Sequence, residues 1–400
     1  MAIESTLGDS SLNKRVVILG GYGHFGARIA RALADDPNME LVVAGRHLDK
    51  AKAAFGGRPT GTRPIEFCEL DLGAGNFHER LKTLAADVLV HTAGPFQNQR
   101  YVVAEICIEL GISYIDLADG RDFVCNFASQ LDALAKSRGC IAITGASTLP
   151  ALSSAVVDEL ARRLDRLDEI QIVIAPAQRT PLGLATLRGV LSYCGTGFDW
   201  WQSGSWQRTT GWMQRTPVTF AGLKPRHAAP CDVPDHTLFV HRYPGVQTVQ
   251  FRAALELSVF QMALSFLSAI RVVGIPVRLD KLAPLVERVA RYFDTWGSDS
   301  GGMYVALRGL KNGNFHEVRW DLTAPQLHGP EIPCMAAIVL VRKIVSSSFQ
   351  QIGASPCMGF LTLNDFSPEF RKWNISTEIS EQAILETERL IDPKSSLTHL

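Results

Sequence analysis

Gly21, Gly23 and Gly26 keep the spacing G-x-G-x-x-G, in which each glycine does a different job for a phosphate-bearing ligand. The first permits a tight turn, the second lets main chain approach a pyrophosphate, and the third lets a helix pack closely on a strand. Between and beside them stand Tyr22, His24 and Phe25, whose N–H groups lie at the positive end of the helix that follows and would face the anion. Because 33 glycines in 400 residues produce such spacings by chance, the flanking residues must decide. Residues 16–19 are a short apolar run suited to a strand buried on both faces, and a second strand at 41–44 ends at Gly45-Arg46, twenty residues past Gly26. An acidic residue at that place holds the ribose hydroxyls of NAD or FAD; a guanidinium suits a 2′-phosphate, so NADP is the expected dinucleotide. The blander reading of Arg46 is a solvent-facing arginine at a strand end. Gly20, Gly23 and Gly26 also fit G-x-x-G-x-x-G, so the glycine register alone does not choose a family.

The elements around this turn repeat. Helix 47–55, strand 65–70, helix 77–84, strand 87–91, helix 99–110, strand 113–117, helix 123–137 and strand 140–144 follow in order, which makes a Rossmann-type, doubly wound parallel sheet the economical α/β fold. Ligands in such sheets sit at the carboxyl ends of the strands. Three strand ends carry candidates. Asp71 can lie beside the adenine or cap its own turn. Ala93, Gly94 and Pro95 are small enough to let backbone approach the nicotinamide ribose, or form a plain Gly-Pro turn. Asp116 and Asp119 can face a substrate or cap the helix that begins near Phe123.

The balance of 40 basic and 40 acidic residues, with no basic stripe, argues against a nucleic-acid partner. Eight cysteines without C-x-x-C pairs or His clustering argue for reduced thiols, no zinc and a cytoplasmic protein. Residues 1–13 lack a secretory pattern and read as a loose tail. Residues 257–270 are uncharged but too few to span a bilayer, so they read as a buried helix, with peripheral membrane contact as the lesser option.

The order of GGYGHFG, AGR, DVLVHTAGPF, GISYIDLADGRDF and GASTLPALSSAVVDEL, with HGPEIPCMAAIVLVRKI and GASPCMGFLTLNDF near the end, resembles the saccharopine dehydrogenase/reductase-like family. The resemblance implies a Rossmann domain, a mixed α/β second domain inserted before the last elements, NADP(H) use, and oxidation or reduction at a carbon–nitrogen bond. It carries over Gly21, Gly23, Gly26, Arg46 and Ala93-Gly94-Pro95 as cofactor contacts. Many relatives read Gly-Glu where this chain has Ala118-Asp119-Gly120, so catalysis is not carried over. His328 and Glu331 lie in a shared stretch and are further catalytic candidates, their alternative being a turn with Glu331 near a helix N-terminus. The expected division is a Rossmann domain over 14–148, an α+β substrate or dimerisation domain over 149–325, and C-terminal helices over 326–400 that return to the first domain and end in a loose tail.

In the second domain an alternating strand is expected at 169–175 and an antiparallel sheet of strands at 216–221, 237–243 and 247–255, with a hairpin joining 303–309 to 314–322. Trp200, Trp201, Trp206 and Trp212 crowd thirteen residues interrupted by Gly and Ser. The first three are candidates for a lid over substrate, or for the centre of a homodimer contact. No Tyr-x-x-x-Lys occurs, so the short-chain reductase acid is lacking. These residues favour an NADP(H)-dependent oxidoreductase acting on a small amine, imine or apolar carbonyl or enoyl compound; a non-catalytic NADP(H) sensor or scaffold and a membrane-peripheral lipid reductase are the other readings.

Overall fold

The computed structural model describes residues 13–56, 64–97, 99–180, 183–275 and 279–384; residues 1–12 of the expected N-terminal tail, and the tail from 385 onward, lie outside them. Six strands alternate with helices: β1 (Lys14–Leu19), β2 (Met39–Gly45), β3 (Glu66–Glu69), β4 (Val88–His91), β5 (Ser113–Asp116) and β6 (Ile141–Thr144). There follow β7 (Arg166–Ala175), β8 (Gly197–Gln202), β9 (Ser205–Thr210), β10 (Thr216–Val218), β11 (Arg226–Pro230), β12 (Thr248–Leu255), β13 (Gly301–Lys311) and β14 (Asn314–Ala324), and then β15 (Gly353–Pro356) and β16 (Ser376–Ala383).

The first sheet is parallel, in the order β15-β6-β5-β4-β1-β2-β3. The middles of its central strands are apolar because helices cover both faces: Val16, Val17, Ile18 and Leu19 of β1 and Val88, Leu89 and Val90 of β4 are buried. The order reverses between β1 and β4, which opens a crevice at their carboxyl ends.

The second sheet runs β10-β11-β12-β7-β13-β14-β16, with β8 pairing β12 and β9. It is mixed rather than purely antiparallel, since β7 and β12 pair in parallel from Thr248↔Glu169 to Ala253↔Ile174. The hairpin β13–β14 turns through Asn312 (φ 50°) and Gly313 (φ 79°), the left-handed pair whose twist matches that of the flanking strands. Of residues 237–243, expected as a strand, 237–242 belong to the helix Asp235–Arg242 and Tyr243 caps it. Pro234 and Asp235 start a helix there and Leu238 and Phe239 form its buried side, so start signals override the β-branched composition. Residues 376–383, in the stretch expected to hold C-terminal helices and a loose tail, instead form β16, an edge strand exposed along its length and held to β14 by backbone bonds that need no apolar pattern.

The helix Ile332–Val345 lies against the helix Gly26–Leu33 of the first sheet. Two half-buried ion pairs fasten this region, Arg28 Nε to Glu331 Oε1 at 2.9 Å and Arg342 to Glu369 at 2.8 Å. The last strands then split: β15 extends the first sheet beside β6, and β16 completes the second.

His91 ends β4 fully buried, with Nδ1 3.0 Å from the Tyr114 hydroxyl, and burial pulls its pKa down to about 4. The ring is therefore neutral, and its contribution to stability is complete above an unfolded value near ~6.5 and is lost as pH falls toward 4. Buried Asp116 and Asp235 act in the opposite sense. Burial raises them to about 6 and about 7, so what they contribute as neutral acids fades as pH rises through those values. Denaturation of the wild type beside His91→Gln isolates the first effect: the wild type should lose stability relative to the variant as pH falls from about 7 to about 4. A difference that stays constant with pH would remove the neutral imidazole.

Candidate functional site: the glycine turn and the interdomain cleft

The turn after β1 is closed so tightly that side chains are excluded. Gly20 takes φ +79°, and a methyl group at Gly26 would stand 2.4 Å from the Gly20 carbonyl oxygen and 2.6 Å from Thr92 Oγ1. Gly21 approaches the Ile18 carbonyl equally closely, with 2.7 Å for the same test. Thr92, just past β4, bonds through both its N–H and its hydroxyl to the Leu19 carbonyl and so pins the turn to the crevice. Gly20 is thus a turn glycine in its own right, which the G-x-x-G-x-x-G register signals. Among the described residues no acceptor takes the N–H groups of Tyr22, His24 and Phe25. A cradle without side chains, lined by unspent donors at a helix N-terminus, fits the pyrophosphate of a dinucleotide.

Tyr22 lays its ring over Gly45, where a methyl would come within 2.3 Å of it, and its hydroxyl accepts the His47 N–H at 3.2 Å. Arg46 follows at the end of β2, exposed and without a partner among the described residues. His24 and Phe25 are half-buried, edge to face at 5.0 Å; burial, assisted by Arg28, lowers the His24 pKa to about 4. Asp71 accepts the N–H of Gly73 at 3.1 Å, closing its own turn.

On the other side of the crevice, Gln99 bonds the carbonyls of Ala93 and Pro95 and holds Ala93-Gly94-Pro95 as a fixed loop. Asp116 is turned inward. One carboxylate oxygen takes the Ala118 N–H (2.9 Å), the Thr144 hydroxyl (2.9 Å) and the Gly145 N–H (2.8 Å), tying the ends of β5 and β6 together.

Asp119 differs: it is exposed just past the carboxyl end of β5, and desolvation by the neighbouring protein raises its pKa. The Gln97 amide nitrogen donates to Asp119 Oδ1 at 3.1 Å and to the Tyr193 hydroxyl at 3.2 Å, so one side chain bridges the two domains. Burial also pushes the Tyr193 phenol up, with Asp119, Asp232 and Asp122 adding to the effect, and it stays protonated. Arg121 reaches across from the first domain to the Thr237 hydroxyl (2.9 Å), the Asp199 carbonyl and the Asp232 carboxylate (2.9 Å). Behind Asp232 stands His236, buried, with Nδ1 3.6 Å away and Nε2 accepting the Phe251 N–H. Burial lowers the His236 pKa.

The tryptophans lie on the hairpin β8–β9 and its exit and do not share one pocket. Trp200 is buried beneath the Arg252 guanidinium, Trp201 donates to the Val246 carbonyl, and Trp206 is exposed with Arg121 over its ring at 5.4 Å. His328 and Glu331 sit apart from the cleft floor: His328 Nδ1 faces the Trp373 carbonyl at 2.7 Å, while Glu331 is paired with Arg28 beside the glycine turn. Gln97, Arg121 and Tyr193 were absent from the sequence-based candidates. Arg121 and Gln97 neighbour named motifs, but nothing local marks Tyr193, whose partner is 96 positions away. Among the described residues no group of His, Cys, Asp and Glu could hold a metal ion.

Residues 16–143 match the family model of the saccharopine dehydrogenase NADP binding domain. No curated protein sequence matches the chain. Among solved structures, the apo saccharopine dehydrogenase (L-Glu forming) of Saccharomyces cerevisiae is similar with a TM-score of 0.65, covering 93% of this chain and 100% of its own at 14% identity. The homospermidine synthase of Legionella pneumophila, solved with NAD, is similar at a TM-score of 0.55, covering 93% of this chain and 92% of its own at 10% identity. At such identities these likenesses establish the fold. The match over residues 16–143 thus places a saccharopine dehydrogenase NADP binding domain model on the part of the chain that carries the side-chain-free turn, and the solved structures add the fold of the chain as a whole.

Proposed function

We propose that the protein is an NADP(H)-dependent oxidoreductase that acts on a carbon–nitrogen bond of a small amine or imine, bound in the cleft between the two domains. The observation that carries this reading is the Gln97 bridge, which sets Asp119 and Tyr193 side by side where the strand ends of the first sheet face the second domain. When bound, NADPH supplies the hydride. Reduction of a C=N bond also requires a proton at nitrogen, or a partner for the positive charge of an iminium. Tyr193, whose oxygen already accepts from Gln97, has its own proton free to donate. Asp119 is the group that offsets the substrate's charge. Around Tyr193 the carboxylates of Asp119, Asp122 and Asp232 outnumber the guanidinium of Arg121, which favours a cationic substrate over an anionic one. In the same reading Arg46 holds the 2′-phosphate, the turn of Gly21, Gly23 and Gly26 with the N–H groups of Tyr22, His24 and Phe25 holds the pyrophosphate, and Ala93-Gly94-Pro95 flank the nicotinamide ribose.

Two measurements test this. Arg46→Asp should weaken NADPH binding about 10–100-fold, the worth of one or two charge-assisted hydrogen bonds, and leave NADH nearly unchanged; equal losses for both would remove the 2′-phosphate contact. Against a panel of imines, including mixtures of keto acids with amines, the wild type should consume NADPH. Asp119→Asn and Tyr193→Phe should each lower kcat by about 10²-fold or more without altering the NADPH dissociation constant. Unchanged kcat in both variants would sink the assignment.

A further inference from the structure

The helix Ser258–Val272 buries two polar residues beside Leu264 and leaves large apolar ones exposed. Gln261 and Ser268 are buried, Gln261 Oε1 accepts the Leu255 N–H at 3.1 Å, and Ser265 donates to the Trp212 carbonyl at 2.8 Å. Outward, on one face and beyond its end, Met262 is half exposed, Phe266 is 67% exposed and Val273 is 74% exposed. The expectation of a buried helix is therefore corrected in part: Leu264 is buried and Leu267 packs on the core, whereas Val259, Met262, Phe266 and Val272 are exposed on the other side. A second helix, Ala283–Arg291, and the short turn after it continue the surface. Leu285, Tyr292 (79% exposed) and Trp296 (72% exposed) lie one and two turns apart on one side. Edge-on contacts of Phe293 with Phe260 at 5.3 Å and with Trp296 at 5.2 Å join the two parts into one face. An apolar face of this extent on a folded protein marks a binding surface.

We infer that this face docks on an anionic lipid bilayer. Charge chooses the occupant. Arg188, on the helix Leu184–Tyr193 that packs against Ala283–Arg291, and Lys281 and Arg288 are exposed and unpaired among the described residues, whereas Glu287 is tied to Arg291 and Asp294 is the unpaired carboxylate beside them. A two-fold contact between copies would set this patch against its own image, cation against cation. Anionic headgroups would neutralise it, and Trp and Tyr at the rim of an apolar face flanked by Lys and Arg is the arrangement that suits a headgroup boundary. Among the described residues no helix is long and apolar enough to cross a membrane, so the contact is peripheral. Tyr193, which reaches the cleft floor, ends a helix whose other side supports this face, so docking would hold the cleft close to the lipid. The docking does not depend on the chemistry assigned to the cleft.

Flotation of the full chain with vesicles tests it. The wild type should float with mixed phosphatidylcholine and phosphatidylglycerol vesicles and bind about tenfold less to phosphatidylcholine alone or at high salt. Phe266→Glu with Val273→Glu should abolish flotation while NADPH binding is kept. Lys281→Glu with Arg288→Glu, substitutions at exposed positions that leave the apolar residues in place, should remove the preference for anionic vesicles. Absence of wild-type flotation, or flotation unaffected by either pair, overturns the inference. So does a wild-type dimer by light scattering that Phe266→Glu with Val273→Glu splits, since a second copy would then own the face.

Discussion

The constraint on which the site depends is the contact of Gly26 with the Gly20 carbonyl and the Thr92 hydroxyl. It brings the helix Gly26–Leu33 down onto the crevice between β1 and β4, so that the turn meets a ligand with main chain instead of side chains. Close approach of this kind leaves no room for a single methyl group. The free N–H groups of Tyr22, His24 and Phe25 follow from it, because a turn this short reaches the helix before any carbonyl can take them. Thr92 links the turn to the loop Ala93-Gly94-Pro95, so both walls of the crevice are set by the same packing.

The cleft is a second layer of organisation, built by long-range bonds. Gln97 and Arg121 leave the first domain and end on Tyr193, Thr237 and Asp232 of the second. Gln97 starts from the loop after β4 and Arg121 from the first turn of the helix Arg121–Arg138 after β5, near buried Asp116, whose three bonds lock β5 to β6. A polar group at the cleft floor is thus one step removed from a rigid core. That support limits how far Asp119 and Tyr193 can drift apart.

The Rossmann half could be read almost entirely from the chain, since local signals and fold agree there: apolar strands, glycines at the turn, and a helix end at Gly139 with left-handed φ of 65°. The second half was less legible. Thr237–Val240 looks like strand by composition and is helix because Pro234-Asp235 starts one. The edge strand β16 carries no apolar pattern, its pairing being backbone alone. The tryptophans could be noticed but not placed, because a β-hairpin sends Trp200 into the domain and Trp206 to the surface. Tyr193 was beyond reach for the reason that makes it interesting: its partner is in the other domain. The helix Ser258–Val272 misled because an uncharged apolar run reads as core, and the places of Gln261 and Ser265 are decided by partners outside the helix.

The chain's last excursion has a consequence for biosynthesis. Each sheet receives one strand from the closing stretch, β15 at the open edge of β6 and β16 at that of β14, and neither sheet can be finished by the segment that begins it. While the polypeptide is being made, two unfinished edges wait with unsatisfied backbone, and both are sealed after residue 350. A fragment cut after β6 would therefore carry an open β6 edge that β15 covers in the longer chain.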